Sequence, residues 1–197
     1  MSKKVYRVRY NLDAKNIKNL PHNEIKVILR AADPLIMNGG RTLLAKILKG
    51  SKEKKLLELN LDENPSYGYF KDLSIEEITA KIDWTILNGY LTLEYDNRLP
   101  LLVYTPIGWE IEKDTYSDEL LAGFDKLLDI DQRIFLMTYL KDRNRDMIMM
   151  LLDKVQVTQN PKYIPILEAW GKIDYKKVQK RLSAVINNLK LNKNGNK

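Results

Sequence analysis

The sequence predicts a mainly α-helical protein with a small β-hairpin. Apolar residues recur every three to four positions through most of the chain, and two short segments rich in Leu, Val and Tyr, "YLTLEY" and "LPLLVYTP", flank a turn at "DNR". The segment "TPIGWEI" is expected to close the second strand. The order of helix, glycine and hairpin is typical of a winged helix, and amphipathic helices fill the rest of the chain. The fold class is therefore a winged helix with a β-hairpin wing, followed by an all-α C-terminal helical region.

These elements divide the chain into four parts. Residues 1–20, in which Tyr and Val alternate with Arg in "VYRVRY", are expected to form an arm or a strand. Residues 21–116 are expected to hold the winged-helix domain, and residues 117–191 an α-helical C-terminal domain. The polar segment "NKNGNK", residues 192–197, is predicted to be a disordered tail.

Start and stop signals place the helices within these parts. The first helix begins at Pro21, and the second ends at Gly50. The third has the clearest start, because Ser74 followed by Glu77 forms a capping box, and it ends at Gly89. The C-terminal helices are expected at Ser117–Asp129, Asp131–Lys141, Arg145–Gln156, Pro161–Lys172 and Asp174–Leu191.

The residue types argue against several kinds of chemistry. The chain has no cysteine and one histidine, His22, so a disulfide framework, a thiolate zinc site and Ser-His or Cys-His catalysis are not supported. A nucleotide-binding P-loop is excluded because Gly50 follows a helix and Ser51 precedes Lys52, the reverse of the required order. We therefore expect a protein that is not an enzyme and uses no cofactor or metal.

The hydropathy of the chain bears on its location. No apolar run approaches the roughly 18 residues of a membrane span, and the first ten residues, "MSKKVYRVRY", lack the apolar region of a signal peptide. We expect a cytoplasmic protein that does not contact a membrane.

The formal net charge of +7 is distributed unevenly. Residues 1–20 and residues 41–55 each carry six basic residues and one acidic residue, and residues 172–197 carry eight and one. Residues 56–131 hold seventeen acidic residues and five basic ones. Such basic segments suit a phosphate backbone, because each phosphate that they neutralise releases counterions. The plainer alternative is a solvated charged face.

The central part of the chain contains four short motifs in a characteristic order. In this order and spacing, residues 25–112 resemble the RecQ C-terminal winged-helix domain, or RQC domain, which some bacterial proteins carry as a stand-alone module. The motifs are Lys49-Gly50-Ser51, Gly68 with Lys71-Asp72, Gly89-Tyr90-Leu91, and Tyr104-Thr105-Pro106-Ile107-Gly108.

This resemblance implies binding to duplex ends, forks or junctions of DNA. It implies that the turn at Lys49, Gly50 and Ser51 contacts phosphate, that Lys71 lies near the backbone, and that the wing tip meets the helix end. The tip is short and has no aromatic residue at its apex, and a helicase ATPase core is missing, so unwinding by this chain alone is not expected. With the neighbouring basic residues, the candidate DNA-binding set is Arg41, Lys46, Lys49, Gly50, Ser51, Lys52, Lys54, Lys71, Asn97 and Arg98.

The helix that would read bases in an ordinary helix-turn-helix protein is acidic here. It is expected to present Glu76, Glu77 and Asp83, which repel phosphates at close range. We therefore expect docking through the preceding basic helix end, with low sequence specificity and a steep salt dependence.

Two functional classes stay open. In the first, the chain is a DNA-binding protein whose C-terminal helices either extend the basic surface or recruit a protein partner. In the second, the winged helix is only the scaffold of a protein-interaction adaptor. Convergence of the lysines on one face would favour DNA, and scattering would favour the adaptor. The basic residues of the last helix are Lys176, Lys177, Lys180 and Arg181.

Overall fold

The computed structural model describes residues 10–129 and 134–195, with side chains described up to residue 191. Part of the expected N-terminal arm, residues 1–9, lies outside the described residues, as do residues 130–133 and the last two residues. The chain divides into two compact units, Met1–Glu112 and Lys113–Lys197, which are described in turn.

The first unit contains helices followed by a hairpin, which confirms the predicted fold class. Single turns of 3-10 helix at Asp33–Leu35 and Leu61–Glu63 connect some of its helices. The helices and strands are α1 (His22–Ala32), α2 (Arg41–Lys49), α3 (Lys54–Glu58), α4 (Ile75–Leu87), β1 (Leu91–Asp96), β2 (Leu99–Tyr104) and the start of α5 (Pro106–Asp129).

The core of the first unit forms where the apolar sides of its helices meet the inner face of the hairpin. Helix α2 packs on both α1 and α4. Burial of each large apolar side chain contributes roughly 1.5–3 kcal/mol. The fully buried side chains include Ile28, Leu29, Leu44, Ile47, Leu48, Ile78, Ile82, Leu91 and Leu102.

The hairpin is antiparallel and closes with a two-residue turn. Asp96 pairs with Leu99, which leaves Asn97 and Arg98 as the tip. Asn97 has φ 53°, a left-handed conformation that asparagine tolerates better than most residues. Strand β2 also pairs outside the hairpin, because the N–H of Leu102 donates to the carbonyl oxygen of Gly39 at 2.9 Å.

The capping box at the start of α4 is present as predicted. The Ser74 hydroxyl accepts from the backbone N–H of Glu77 at 3.2 Å, and the Glu77 carboxylate accepts from the backbone N–H of Ser74 at 2.8 Å. The carboxylate accepts from the Ser74 hydroxyl as well, at 2.8 Å, and the bonds that it accepts, first from the Ser74 backbone and then from the Ser74 side chain, lower the pKa of the Glu77 carboxyl.

The second unit is helical. Its described residues form the remainder of α5 and the helices α6 (Arg145–Thr158), α7 (Ile164–Gly171) and α8 (Lys176–Gly195). Helices α6 and α7 both pack on α8. The buried core includes Phe124, Leu151, Leu152, Val155, Ile166, Leu167, Trp170, Leu182, Val185 and Leu189.

Three segments differ from the sequence-based expectation. Helix α5 begins at Pro106 instead of Ser117, so the expectation that "TPIGWEI" closes the second strand is wrong. Proline suits the first turn of a helix, and Thr105 binds a backbone N–H there. Within the expected helix at 131–141, the described residues form only a 3-10 turn, Thr138–Leu140, since Ile134 and Leu136 stay exposed.

The third difference concerns the C-terminal tail. Helix α8 continues to Gly195 and so includes residues 192–195, for which the composition predicts disorder. A helix that is already nucleated adds each further residue at little cost, which lets the polar segment continue it. None of the helices in the described part of the chain combines the length and the hydropathy needed to cross a bilayer.

Candidate nucleic-acid interface

The basic-Gly-Ser motif forms a tight joint between the end of α2 and the Gly68 loop. Gly50 ends α2 with φ +76°, a left-handed conformation that strongly favours glycine. A Cβ on Gly50 would lie 3.0 Å from the Cα of Gly68, so the two glycines allow the two backbones to approach closely. We call this contact the Gly50–Gly68 joint.

Backbone hydrogen bonds hold this joint together. The N–H of Gly68 donates to the carbonyl oxygen of Ile47, and the N–H of Phe70 donates to that of Leu48, both at 2.9 Å. The Tyr67 hydroxyl donates to the carbonyl oxygen of Ser51 at 3.0 Å. Carbonyl groups at the end of α2, which have no partners within the helix, are thereby satisfied by the loop.

Lys49 points into the joint. Its ammonium donates to the carbonyl oxygens of Lys71 and Leu73, at 2.5 Å and 2.7 Å. Its charge is therefore used to hold the loop against the helix, and it also lies at the favourable C-terminal end of the α2 dipole. A phosphate contact by Lys49, which the resemblance implies, stays a prediction.

Lys46 and Ser51, close to Gly50 in the chain, both contact Glu53. The Lys46 ammonium forms an ion pair with Glu53 at 2.7 Å, and the Ser51 hydroxyl accepts from the backbone N–H of Glu53 at 3.3 Å. Glu53 thus offsets part of the positive charge that the sequence places here.

Arg41 lies at the other end of α2, roughly 12 Å along the helix axis. Its guanidinium forms an ion pair with the buried carboxylate of Asp83 and lies 5.3 Å from the ring centroid of Tyr10. Asp83 also accepts the backbone N–H of Asp13 at 2.9 Å. Arg41 therefore anchors the segment before α1 to α4.

The expectation that α4 presents Asp83 on its exposed side is wrong. Only 2% of Asp83 is exposed, because it lies on the side of α4 that contacts Arg41. Glu76 and Glu77 are exposed in the first turn of α4, as expected.

The remaining basic candidates of the joint and the wing are exposed. Lys52 and Lys71 have no ion pair to any described residue, and Lys54, whose side chain is 89% exposed, lies 3.6 Å from Glu58. Arg98 is exposed at the wing tip next to Asn97, whose amide donates to the Asp96 carboxylate at 3.0 Å.

A groove of about 500 Å³ lies between the start of α2 and the wing. Lys55 and Leu99 line it together with Thr42 and Tyr10. Lys55 and Thr42 are not in the candidate set, because no motif marks them, although Lys55 lies within the basic stretch of the sequence. The structure thus brings Lys55, from the segment between Gly50 and Gly68, and Leu99, from the wing, to the same groove.

A second close backbone contact involves the motifs that contain Gly89 and Gly108. The Thr105 hydroxyl lies 2.6 Å from the carbonyl oxygen of Gly89 and accepts the N–H of Gly108 at 3.1 Å. A Cβ on Gly108 would lie 1.9 Å from the carbonyl oxygen of Tyr90, so any larger residue is excluded without movement. We call this contact the Thr105–Gly108 joint, and it fixes α5 against the start of the wing.

Tyr104, beside this joint, is tied to the core. Its hydroxyl donates to the carbonyl oxygen of Leu29 at 2.9 Å. Burial, followed by the nearby Glu112 carboxylate, raises the pKa of Tyr104 well above its usual range. Among residues 10–129 and 134–195, no group of three or more His, Asp or Glu side chains is placed to hold a metal ion.

Comparison with known proteins agrees with this geometry. Residues 22–119 match the family model of the RQC domain. Over 78 residues, which are 40% of this chain, the sequence is 32% identical to the ATP-dependent DNA helicase RecQ of Bacillus subtilis (strain 168). The aligned part is 13% of that helicase, so the chain spans a small part of its relative. No solved structure matches significantly. The match spans α1 to α4, the hairpin and both glycine joints, and residues 22–119 are therefore an RQC domain.

Proposed function

We propose that this chain is a non-enzymatic DNA-binding protein whose RQC domain holds duplex or branched DNA through the phosphate backbone. The similarity to a protein named as a DNA helicase supports DNA as the partner. The proposed site combines the exposed residues of the Gly50–Gly68 joint with the wing tip. We infer that the protein acts in the cytoplasm, where bacterial DNA lies.

The observation that carries the proposal is the position of Lys52 and Lys71. The Lys49 ammonium holds the backbone of Lys71 against the end of α2, and Lys52 follows the turn at Gly50 and Ser51. The two lysines therefore extend from adjacent backbone segments, and both are exposed. Two exposed lysines on adjacent backbone segments favour a phosphate-binding surface over the scattered charge expected of an adaptor.

The basic residues of the segment 41–55 fall into two groups by their contacts. Arg41, Lys46 and Lys49 have internal partners, whereas Lys52 and Lys54 extend into solvent. We propose that the internally bound residues shape the site, with Lys49 close enough to share a phosphate through its remaining donor.

We expect DNA binding of low sequence specificity because of the side chains that are exposed at the proposed site. Lysine contacts to phosphate position a protein without reading bases. The exposed Glu76 and Glu77 at the start of α4 would repel the backbone if this helix entered a groove. We therefore expect the affinity to depend on DNA shape and salt more than on sequence.

The wing tip supports a preference for duplex ends, forks or junctions. Leu99 is 62% exposed beside Asn97 and Arg98, so the tip offers one apolar and one cationic side chain. We propose that Leu99 packs on a terminal base pair while Arg98 contacts phosphate. With no aromatic residue in this two-residue turn, the tip is expected to cover the end without separating strands.

A titration with labelled blunt duplex, forked duplex and single strand tests the proposal. Lys52→Gln/Lys71→Gln should weaken duplex binding and lower the slope of log K against log[salt] by about 1.8, since each lost phosphate contact removes about 0.9. Lys126→Gln/Lys162→Gln, which neutralises two exposed lysines outside the RQC match, is the control with the same net charge.

The outcomes separate the two functional classes. Weaker binding by the first variant and wild-type binding by the control support the DNA site. If both variants bind all three DNAs as the wild type does, the proposed site is wrong and the adaptor function becomes the better explanation.

A further inference from the structure

We propose that the solvent-facing side of α8 is a second phosphate-binding surface, outside the RQC domain, for the same nucleic acid. We define this α8 basic face as Lys176, Lys177, Lys180, Ser183 and Asn187. The identity of the ligand rests on the proposed function, whereas the residues belong to a different unit of the chain.

The packing of α8 determines which residues face outwards. Val178, Leu182 and Val185 are buried where α8 meets α6 and α7. Lys176, Lys180, Ser183 and Asn187 recur at the spacing of one helical stripe on the opposite side, with Lys177 beside it, and all five residues are exposed.

The charge on this face has one sign. From residue 175 to residue 197 the sequence holds seven basic residues and no acidic residue. Two of the basic side chains pair with other helices, Arg181 with Asp153 at 2.6 Å and Lys190 with Glu168 at 3.2 Å. The described residues supply no ion pair to any of the three lysines of the α8 basic face.

The carboxylates nearest to the start of α8 are already engaged. Asp174 is buried, and it accepts from the Trp170 indole N–H at 2.6 Å and from the Tyr175 backbone N–H at 2.7 Å. Asp142 accepts from the Tyr175 hydroxyl at 2.7 Å. Neither carboxylate forms an ion pair with Lys176 or Lys177 in the described part of the chain, so both ammonium groups can bind an external anion.

This arrangement of charge disfavours the isolated helix. Lys176 and Lys177 lie in the first turn, where the helix dipole favours acidic residues. Lys176 and Lys180 are four residues apart, as are Lys177 and Arg181, and like charges at this spacing repel. A phosphate backbone along the face would relieve both effects, and local charge placed against the needs of the fold often marks a functional surface.

The chemistry of the face fits nucleic acid better than an acidic protein. From Lys176 to Asn187 the stripe contains no apolar side chain, and the first one on it is the exposed Leu191, whereas protein interfaces depend on several buried aromatic or apolar anchors. The Ser183 hydroxyl donates to the carbonyl oxygen of Gln179 at 3.0 Å, which leaves the ammonium and amide groups of the row as donors of the kind that commonly contact phosphates.

Binding of a 30-base-pair duplex by the full chain at 50–200 mM NaCl tests the inference. The test variant is Lys176→Gln/Lys180→Gln, and Lys126→Gln/Lys162→Gln is the control with the same net charge. Loss of two phosphate contacts should lower the salt slope by about 1.8, so the wild-type affinity should fall roughly 12-fold more over this range than that of the variant.

A charge-conserving variant and a stability measurement complete the test. Lys176→Arg/Lys180→Arg should keep wild-type binding and salt slope. The Gln variant should melt at or above the wild-type temperature, because it removes like-charge repulsion. The inference is overturned if the Gln variant binds as the control does, which would leave an acidic protein as the candidate partner, or if the Arg variant loses binding as well.

Failure of this inference can be told apart from failure of the RQC site. If Lys52→Gln/Lys71→Gln weakens binding while the α8 variant matches the control, the RQC site stands and the second surface does not exist. The reverse result would assign DNA binding to α8 and remove it from the Gly50–Gly68 joint.

Discussion

Replacing Gly108 by alanine tests the Thr105–Gly108 joint. The added Cβ would lie 1.9 Å from the carbonyl oxygen of Tyr90 and 2.9 Å from its carbonyl carbon. Both atoms belong to the backbone, so no side chain can rotate away to make room. The first turn of α5 and the start of β1 must separate by about 1 Å.

The loss of stability caused by Gly108→Ala has two parts. Overpacking of a rigid site costs about 1–3 kcal/mol. The separation also weakens the hydrogen bonds of Thr105 to Gly108 and to the Gly89 and Tyr90 carbonyl oxygens, each of which contributes about 1 kcal/mol. Alanine regains up to about 1 kcal/mol from its higher helix propensity, so we expect a net loss of about 3 kcal/mol in the free energy of unfolding.

The same helix provides a matched control. A Cβ on Gly123, also in α5, would meet nothing within 4 Å. Gly123→Ala should therefore stabilise the protein by about 0.5–1 kcal/mol. The same substitution in one helix is predicted to have opposite signs at two positions.

Urea unfolding followed by far-UV circular dichroism and tryptophan fluorescence measures both variants. The free energy of unfolding should fall for Gly108→Ala and rise for Gly123→Ala. A Gly108→Ala protein as stable as the wild type would refute the close approach of α5 and Tyr90 on which this part of the fold depends.

Three further predictions follow from single contacts. Lys49→Met should lower the free energy of unfolding by about 1–2 kcal/mol in urea titrations, because two loop carbonyls lose a charged donor, and an unchanged value would show that the contact is unimportant. Asp83→Asn should lower the free energy of unfolding by about 2–3 kcal/mol, because it leaves the half-buried Arg41 without its carboxylate. Lys52→Met, at an exposed site, should change the free energy of unfolding by less than about 0.5 kcal/mol. Burial, and then the bond to Asp125, raises the pKa of Tyr163 to about 12, so the folded state holds this proton more tightly than the unfolded state does. The melting temperature should therefore fall from pH 10 to pH 12. Tyr163→Phe should make that fall shallower.

Local signals predicted the parts of the fold that depend on neighbouring residues. The capping box needs only Ser74 and Glu77, three residues apart, and the hairpin needs two apolar runs around a short turn. Gly50 ends α2 because a left-handed residue is needed there, and this too can be read from the sequence. These features were confirmed.

The candidate site was harder to predict, because its residues meet partners far away in the chain. Nothing local indicates that the Lys49 ammonium binds the carbonyl oxygens of Lys71 and Leu73. In the sequence, Asp83 is simply an acidic residue in a helix. Only its contact with Arg41 in the folded structure makes it a buried ion-pair partner instead of an exposed group that repels phosphate. Charge counting therefore finds a basic segment but not which of its side chains stay available.

The dependence of duplex affinity on salt tests the central claim most directly. For the full wild-type chain and a blunt duplex between 50 and 200 mM NaCl, backbone binding predicts a linear fall of log K with log[NaCl]. The slope should be about −4.5 if the Gly50–Gly68 joint and the wing together neutralise five phosphates. An affinity that barely changes over this range, or no measurable binding at 50 mM NaCl, would contradict the account.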